Sequence, residues 1–202
     1  MVAQSHVVAY DAPPMPTHDP AQQAALLERL RLGDEAAFDL IFRTWYAPLV
    51  QFAERMLRER EAAEETVQDV MLELWKRRAS LVIQGSPQAY LFQSTRNRAL
   101  NRLRHLRVEN REEFDTDTLA APSSADAGAS EQEIEVALRE AIASLPPRCR
   151  QVFDLNRVQG LKYAEVAAAL DISVKAVEAH MARALRTLRE RLAPWLPGGR
   201  AL

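Results

Sequence analysis

Residues 161–192 read LKYAEVAAALDISVKAVEAHMARALRTLRERL, and the fold turns on this stretch. Tyr163, Val166, Ala167 and Leu170 recur at the spacing of one face of a short helix. Asp171-Ile172-Ser173 interrupts the pattern. Ser173 suits an N-cap, because its hydroxyl can accept from the orphan N–H groups at the start of a following helix. That helix has two separable faces. Val174, Val177, Met181, Ala184, Leu185 and Leu188 point one way. Lys175, Glu178, Ala179, Ala182, Arg183 and Arg186 recur at i, i+3, i+4, i+7, i+8 and i+11 and point the other. Short helix, tight turn, longer helix with a mixed polar face is the helix-turn-helix pattern.

The major groove, about 12 Å wide, admits one α-helix. Small Ala179 and Ala182 let a backbone approach base edges. Arg183 can pair with guanine and Glu178 can accept from cytosine N4. Lys175 and Arg186 can instead hold phosphate, which positions a protein without reading sequence. An amphipathic hairpin with a merely solvated polar face is the plain alternative.

Outward from this segment the chain stays helical in pattern. Upstream, Val152, Phe153, Leu155 and Val158 make a helix ended by Gly160, and Ile134, Leu138, Ile142 and Leu145 make another ended by Pro146-Pro147. Residues 116–130, TDTLAAPSSADAGAS, have the composition of a linker. Before them, residues 87–107 form a long helix, and 79–86 a loop. Residues 61–78 carry the clearest period, with Val67, Val70, Met71, Leu74 and Trp75 on one face. Phe38, Ile41, Phe42 and Trp45 follow an Asp34 N-cap, and Pro48 is expected to break that helix before Leu49, Phe52, Ala53 and Met56. An earlier helix starts at Pro20 and stops at Gly33. No strand period appears. The expectation is an all-α chain of two small helical domains joined by a flexible linker: extension 1–20, domain 21–111, acidic linker 112–130, helix-turn-helix domain 131–193 and tail 194–202.

Composition narrows the function. The 202 residues carry a formal net charge of −2, but the charge is segregated. Arg96, Arg98, Arg102, Arg104, Arg107 and Arg111 face Glu109 alone, whereas residues 112–140 hold nine acids against Arg139. Such blocks mark local polyanion-binding surfaces. A whole-chain pI near 6.1 argues mildly against DNA binding by the isolated chain. A lone cysteine, Cys149, excludes an intrachain disulfide and suits a reducing compartment. His6, His18, His105 and His180 lack ligand spacing, so no metal or cofactor is expected. There is no apolar run of transmembrane length and no secretory leader, so a cytoplasmic protein without membrane insertion is expected.

Two independent motif sets resemble one family. Residues 161–192, with 144–153 (SLPPRCRQVF) before them, are similar to the promoter −35 reading region four of bacterial extracytoplasmic-function (ECF) sigma factors. Residues 64–75 (EETVQDVMLELW) resemble the core-polymerase-binding helix of region two. Ala89-Tyr90-Leu91-Phe92 through residues 99–104 (ALNRLR) resemble its −10 reading helix. The order is right and the motifs cover most of residues 21–193. Lys162 stands where a Ser or Thr cap is usual, and Asp171 where a turn Gly is frequent.

The resemblance implies a non-enzymatic protein with no catalytic residue. It would join core RNA polymerase, select promoter DNA by −35 and −10 elements, help to open the duplex, and answer to an anti-sigma factor. The α-helical face Lys175, Glu178, Ala179, Ala182, Arg183 and Arg186 would read −35. Gln84, Ser86, Tyr90, Gln93, Arg96, Asn97 and Asn101 would handle −10, the loop 82–86 forming a pocket for an unstacked base. Tyr90 and Phe92 can support stacking or simply pack in the core. Gln68, Asp69, Leu72 and Lys76 would face the polymerase; spacing alone leaves Leu72 an ordinary surface leucine. Competing readings are a helix-turn-helix regulator independent of polymerase, a carboxylate-rich helical enzyme holding a metal, and a helical adaptor without DNA contacts.

Overall fold

The computed structural model describes residues 20–83, 85–109 and 131–195. The expected linker, tail beyond residue 195 and all but the last residue of the N-terminal extension lie outside them. Among the described residues there are helices and turns and no strand. The helices are α1 (Pro20–Arg31), α2 (Glu35–Leu57), α3 (Arg60–Arg77), α4 (Pro87–Glu109), α5 (Glu131–Ala143), α6 (Pro147–Phe153), α7 (Tyr163–Leu170) and α8 (Val174–Leu192). The chain separates into two compact units, Met1–Leu100 and Asn101–Leu202, so the division falls within α4.

In the first unit, Gly33 takes φ +85°, a left-handed turn open to glycine, and ends α1. Asp34 then caps α2, its Oδ1 accepting from Ala36 N at 2.9 Å and Ala37 N at 3.3 Å. Contrary to expectation, α2 does not break at Pro48; it runs through it to Leu57. An interior proline removes one N–H and crowds the carbonyl four residues back, at about 3 kcal/mol. Here that carbonyl belongs to Thr44, whose Oγ1 donates to Leu40 O at 2.7 Å. Just beyond Pro48, Leu49, Val50, Phe52 and Ala53 are buried. At about 1.5–3 kcal/mol for each large apolar side chain, that burial outweighs the proline penalty.

α3 packs most extensively on α2 and buries Val67, Val70, Met71 and Leu74, while Trp75, expected on the same face, is half-buried. Phe92 of α4 is fully buried and meets Phe52 edge-on, ring centroids 5.3 Å apart. Of its two sequence readings, core packing is therefore the one realised.

In the second unit, Ala141, Leu145, Cys149, Ala184 and Leu188 form a core, with Ile142, Phe153 and Leu192 packed against it. α5 differs from expectation. Ile134 and Leu138 are exposed, while Ala137 and Ala141 are buried. Small residues let a helix approach its neighbour closely, so the buried stripe is turned toward the alanines. α5 ends at Ala143, and Arg150 closes it by donating through Nη2 to Ala143 O and to Leu145 O, the latter at 3.0 Å.

The expected single helix from Val152 to Gly160 also differs. After Phe153 the chain widens into a π-turn, Asp154–Val158. Gln159 N donates five residues back to Asp154 O at 2.9 Å. Asn156 Nδ2 donates forward to Leu161 O at 2.8 Å, which anchors the widened turn and leaves Val158 pointing outward.

No helix among the described residues is long and apolar enough to cross a membrane.

Candidate nucleic-acid interface

α7 starts with half of a capping box. Glu165 Oε2 accepts from Lys162 N at 2.7 Å, while the lysine ammonium has no lone pair with which to return the bond. Asp171, at φ +52°, closes α7 in the left-handed conformation. Asp171 N donates to Ala168 O at 3.3 Å and Ile172 N to Ala167 O at 3.0 Å, the paired bonds of a Schellman motif. Ser173 then caps α8, its Oγ accepting from Ala176 N at 3.1 Å. The three residues 171–173 thus end one helix and start the next, which fixes the direction of α8.

α8 buries Val177, Met181, Ala184 and Leu188. Leu185 is half-buried, and Val174, expected on the same face, is exposed because it is the first residue of the helix and projects past the core. All six polar-face positions, Lys175, Glu178, Ala179, Ala182, Arg183 and Arg186, are exposed together. Among the described residues none of their four charges is taken up in an ion pair. Three cations and one carboxylate around two alanines make a convex, narrow, mainly positive ridge.

On α4 the sequence-derived residues separate by role. Ser86 is buried, and its Oγ accepts from Ala89 N at 3.2 Å, so the hydroxyl caps the helix. Tyr90, Gln93 and Arg96 are half-exposed, and Asn97 and Asn101 exposed, along one side of the helix. Arg96 Nη1 donates to Asn97 Oδ1 at 3.4 Å, and Arg104 Nη1 to Asn101 Oδ1 at 2.6 Å. Gln84 lies outside the described residues.

On α3, Gln68, Asp69, Leu72 and Lys76 are exposed on the side away from the core, with Leu72 at 48%. Two neighbours of this face escaped the sequence reading. Tyr46 of α2 accepts at its hydroxyl from Gln68 Nε2 at 3.4 Å, and Arg98 of α4 donates from Nε to Asp69 Oδ2 at 3.2 Å. Their separations of 22 and 29 residues leave no periodic trace in the sequence.

Comparison with known proteins now bears on these surfaces. Residues 41–109 match the family model for Sigma-70 region 2, and residues 135–188 that for Sigma-70, region 4. The ECF RNA polymerase sigma factor SigK of Mycobacterium ulcerans is 30% identical over 176 residues, covering 83% of this chain and 92% of that protein. The RNA polymerase sigma-H factor of Pseudomonas aeruginosa is 24% identical over 188 residues, covering 87% and 96%. Among solved structures, the sigma factor RpoE in complex with the anti-sigma factor NepR from Bartonella quintana has a TM-score of 0.55 at 22% identity, covering 77% of this chain and 96% of that one. CnrH in complex with the cytosolic domain of CnrY gives 0.55 at 23%, covering 85% and 97%. Those two likenesses concern the fold. The sequence matches fall in the expected order, region two and then region four, and span nearly the full length of a relative, so this chain belongs to the ECF RNA polymerase sigma factors, a regulatory and non-enzymatic family that recognises promoters.

Proposed function

We propose that the chain works through three separate surfaces. The exposed face of α8 enters the major groove at the −35 element, with Arg183 and Glu178 on base edges, Ala179 and Ala182 permitting close approach, and Lys175 and Arg186 on flanking phosphates. Tyr90, Gln93, Arg96, Asn97 and Asn101 of α4, with Gln84 of the loop before it, handle the −10 element and help to open it, while the buried Ser86 serves them indirectly by capping α4. Gln68, Asp69, Leu72 and Lys76 of α3 dock on core RNA polymerase. Residues 21–111 and 131–193 act as the two functional domains, with 112–130 as the tether. The chain makes and breaks no covalent bond itself; the polymerase supplies the chemistry, in the cytoplasm. RpoE occurs in complex with the anti-sigma factor NepR and CnrH in complex with the cytosolic domain of CnrY, and a partner of the anti-sigma class fits this protein as well.

The observation that carries this reading is the division of α8: four buried apolar residues on one face and six exposed positions, four of them charged, on the other. A hairpin serving only as packing has no need of a cationic ridge with alanines at its centre. Run-off transcription with purified core enzyme on a promoter library tests it. The expected outcome is specific start sites only when the chain is present, and tight promoter occupancy only in the holoenzyme. Tight occupancy by the chain alone, unchanged by core enzyme, would instead indicate a regulator that works without polymerase.

A further inference from the structure

Asp69 stands on the proposed polymerase-facing side of α3, and Arg98 stands on α4 beside Asn97 of the proposed −10 surface. Arg98 Nε donates to Asp69 Oδ2 at 3.2 Å, with the two side chains 44% and 56% exposed. One carboxylate from the first surface thereby covers one guanidinium adjoining the second. An ion pair this exposed contributes little net stability, because water screens the attraction and holding both side chains in place costs entropy. It is therefore a poor structural brace and an easily exchanged one. A guanidinium paired with a carboxylate attracts phosphate less strongly, since the carboxylate takes one of its donors and offsets its charge.

We infer that Asp69 masks Arg98 in the free chain, and that docking on core polymerase draws Asp69 away and frees Arg98 to bind the backbone phosphate of promoter DNA. Arg98 thus binds phosphate more strongly in the holoenzyme than in the free chain. The exchange links polymerase docking to DNA affinity through one side-chain rotation on each helix. The inference rests on the proposed assignment of α3 to the polymerase.

The test uses the full-length chain and reconstituted holoenzyme, with Asp69→Asn, Arg98→Gln, the double variant and Leu72→Glu. Circular dichroism melting first establishes that each is folded. Binding to a duplex carrying the −10 element is titrated at several salt concentrations. In the free chain, Asp69→Asn is expected to tighten DNA binding several-fold, and the Arg98→Gln background to abolish that gain. In the holoenzyme, Arg98→Gln is expected to weaken binding several-fold and to lower the salt dependence by about one phosphate contact. Asp69→Asn is expected to weaken core association while leaving the DNA affinity of the assembled holoenzyme unchanged.

An unchanged salt slope for the Arg98→Gln holoenzyme overturns the inference. So does a gain from Asp69→Asn that persists without Arg98, which would be a general charge effect. If Leu72→Glu loses core binding and Asp69→Asn does not, the exchange falls and the polymerase assignment of α3 stands. If neither loses it, the assignment itself falls and the exchange with it.

Discussion

The thiol of Cys149 on α6 lies 3.7 Å from Nδ1 of His180 on α8. Cys149 is buried within the second core, between Leu145 and the α8 residues Ala184 and Leu188. Arg183 follows His180 by three residues on the same helix. Burial pushes the thiol above its ordinary value of 9.0, while the Arg183 charge pulls the other way. The native chain therefore holds this proton more tightly than the unfolded chain does. The stabilisation is fully present below about pH 9 and is lost as pH rises through the native value. The melting temperature of the wild type is expected to fall more steeply between about pH 8 and about pH 10 than that of Cys149→Ala. The variant itself costs on the order of 1 kcal/mol, for the space left in the core. Parallel curves for the two proteins would contradict a desolvated thiol.

Asp34 makes the opposite kind of pH dependence. Its hydrogen bond from Arg29 Nε, at 2.8 Å, holds the carboxyl below the usual 3.8, and the N–H groups of Ala37 and Ala36 act in the same direction. The unfolded chain binds the proton more readily than the native one. The contribution is present above about pH 3.8 and is lost as pH falls through the native value. Asp34→Asn keeps a capping oxygen and is expected to flatten the acid limb of a melting-temperature titration. Asp34→Ala is expected to lower the melting temperature across the whole range. Equal acid limbs in wild type and Asp34→Asn would remove Asp34 from the account.

The Pro48 finding leads to a stability test. The N–H absent at Pro48 leaves Thr44 O without its usual partner in the helical ladder, in a helix that buries residues on both sides. Pro48→Ala supplies that N–H and a better helix former. It is expected to raise stability, on the order of 1 kcal/mol, in a chemical denaturation midpoint. A lowered midpoint would mean that the proline ring, or a bend it imposes, is needed for packing in the first unit.

Much of this architecture was legible because it is local. Capping by Asp34 and Ser173, the left-handed stop at Asp171 and the faces of α3 and α8 each depend on residues within two turns of one another. What escaped the sequence depends on tertiary context. Pro48 reads as a breaker until the burial of Leu49, Val50 and Phe52 is weighed against it. Ile134 and Leu138 look like the core stripe of α5 until the close approach of α8 selects Ala137 and Ala141. The π-turn at Asp154–Val158 rests on a side-chain bond from Asn156 to Leu161 that hydrophobic spacing does not encode. At the candidate surfaces, side chains on one helix could be grouped from register alone. Pairs that join different helices, Gln68 with Tyr46 and Asp69 with Arg98, could not.

Arg183 and Arg186 stand one turn apart on the exposed face of α8, and their roles can be separated by which DNA sequences a loss affects. A bidentate arginine on guanine discriminates by about 1–3 kcal/mol, so Arg183→Ala in the holoenzyme is expected to lose roughly 5- to 150-fold on the preferred −35 element. It should lose far less on an element changed at the contacted base. Arg186→Ala is expected to weaken all sequences alike and to reduce the salt slope by about one phosphate. Because Arg183 also acts on the Cys149 thiol, the Cys149→Ala background serves as the control. A specificity loss that persists there comes from the lost base contact and not from the altered surroundings of the thiol. A uniform loss for Arg183→Ala would move Arg183 to the phosphate-binding group and leave Glu178 as the charged side chain proposed to read a base edge.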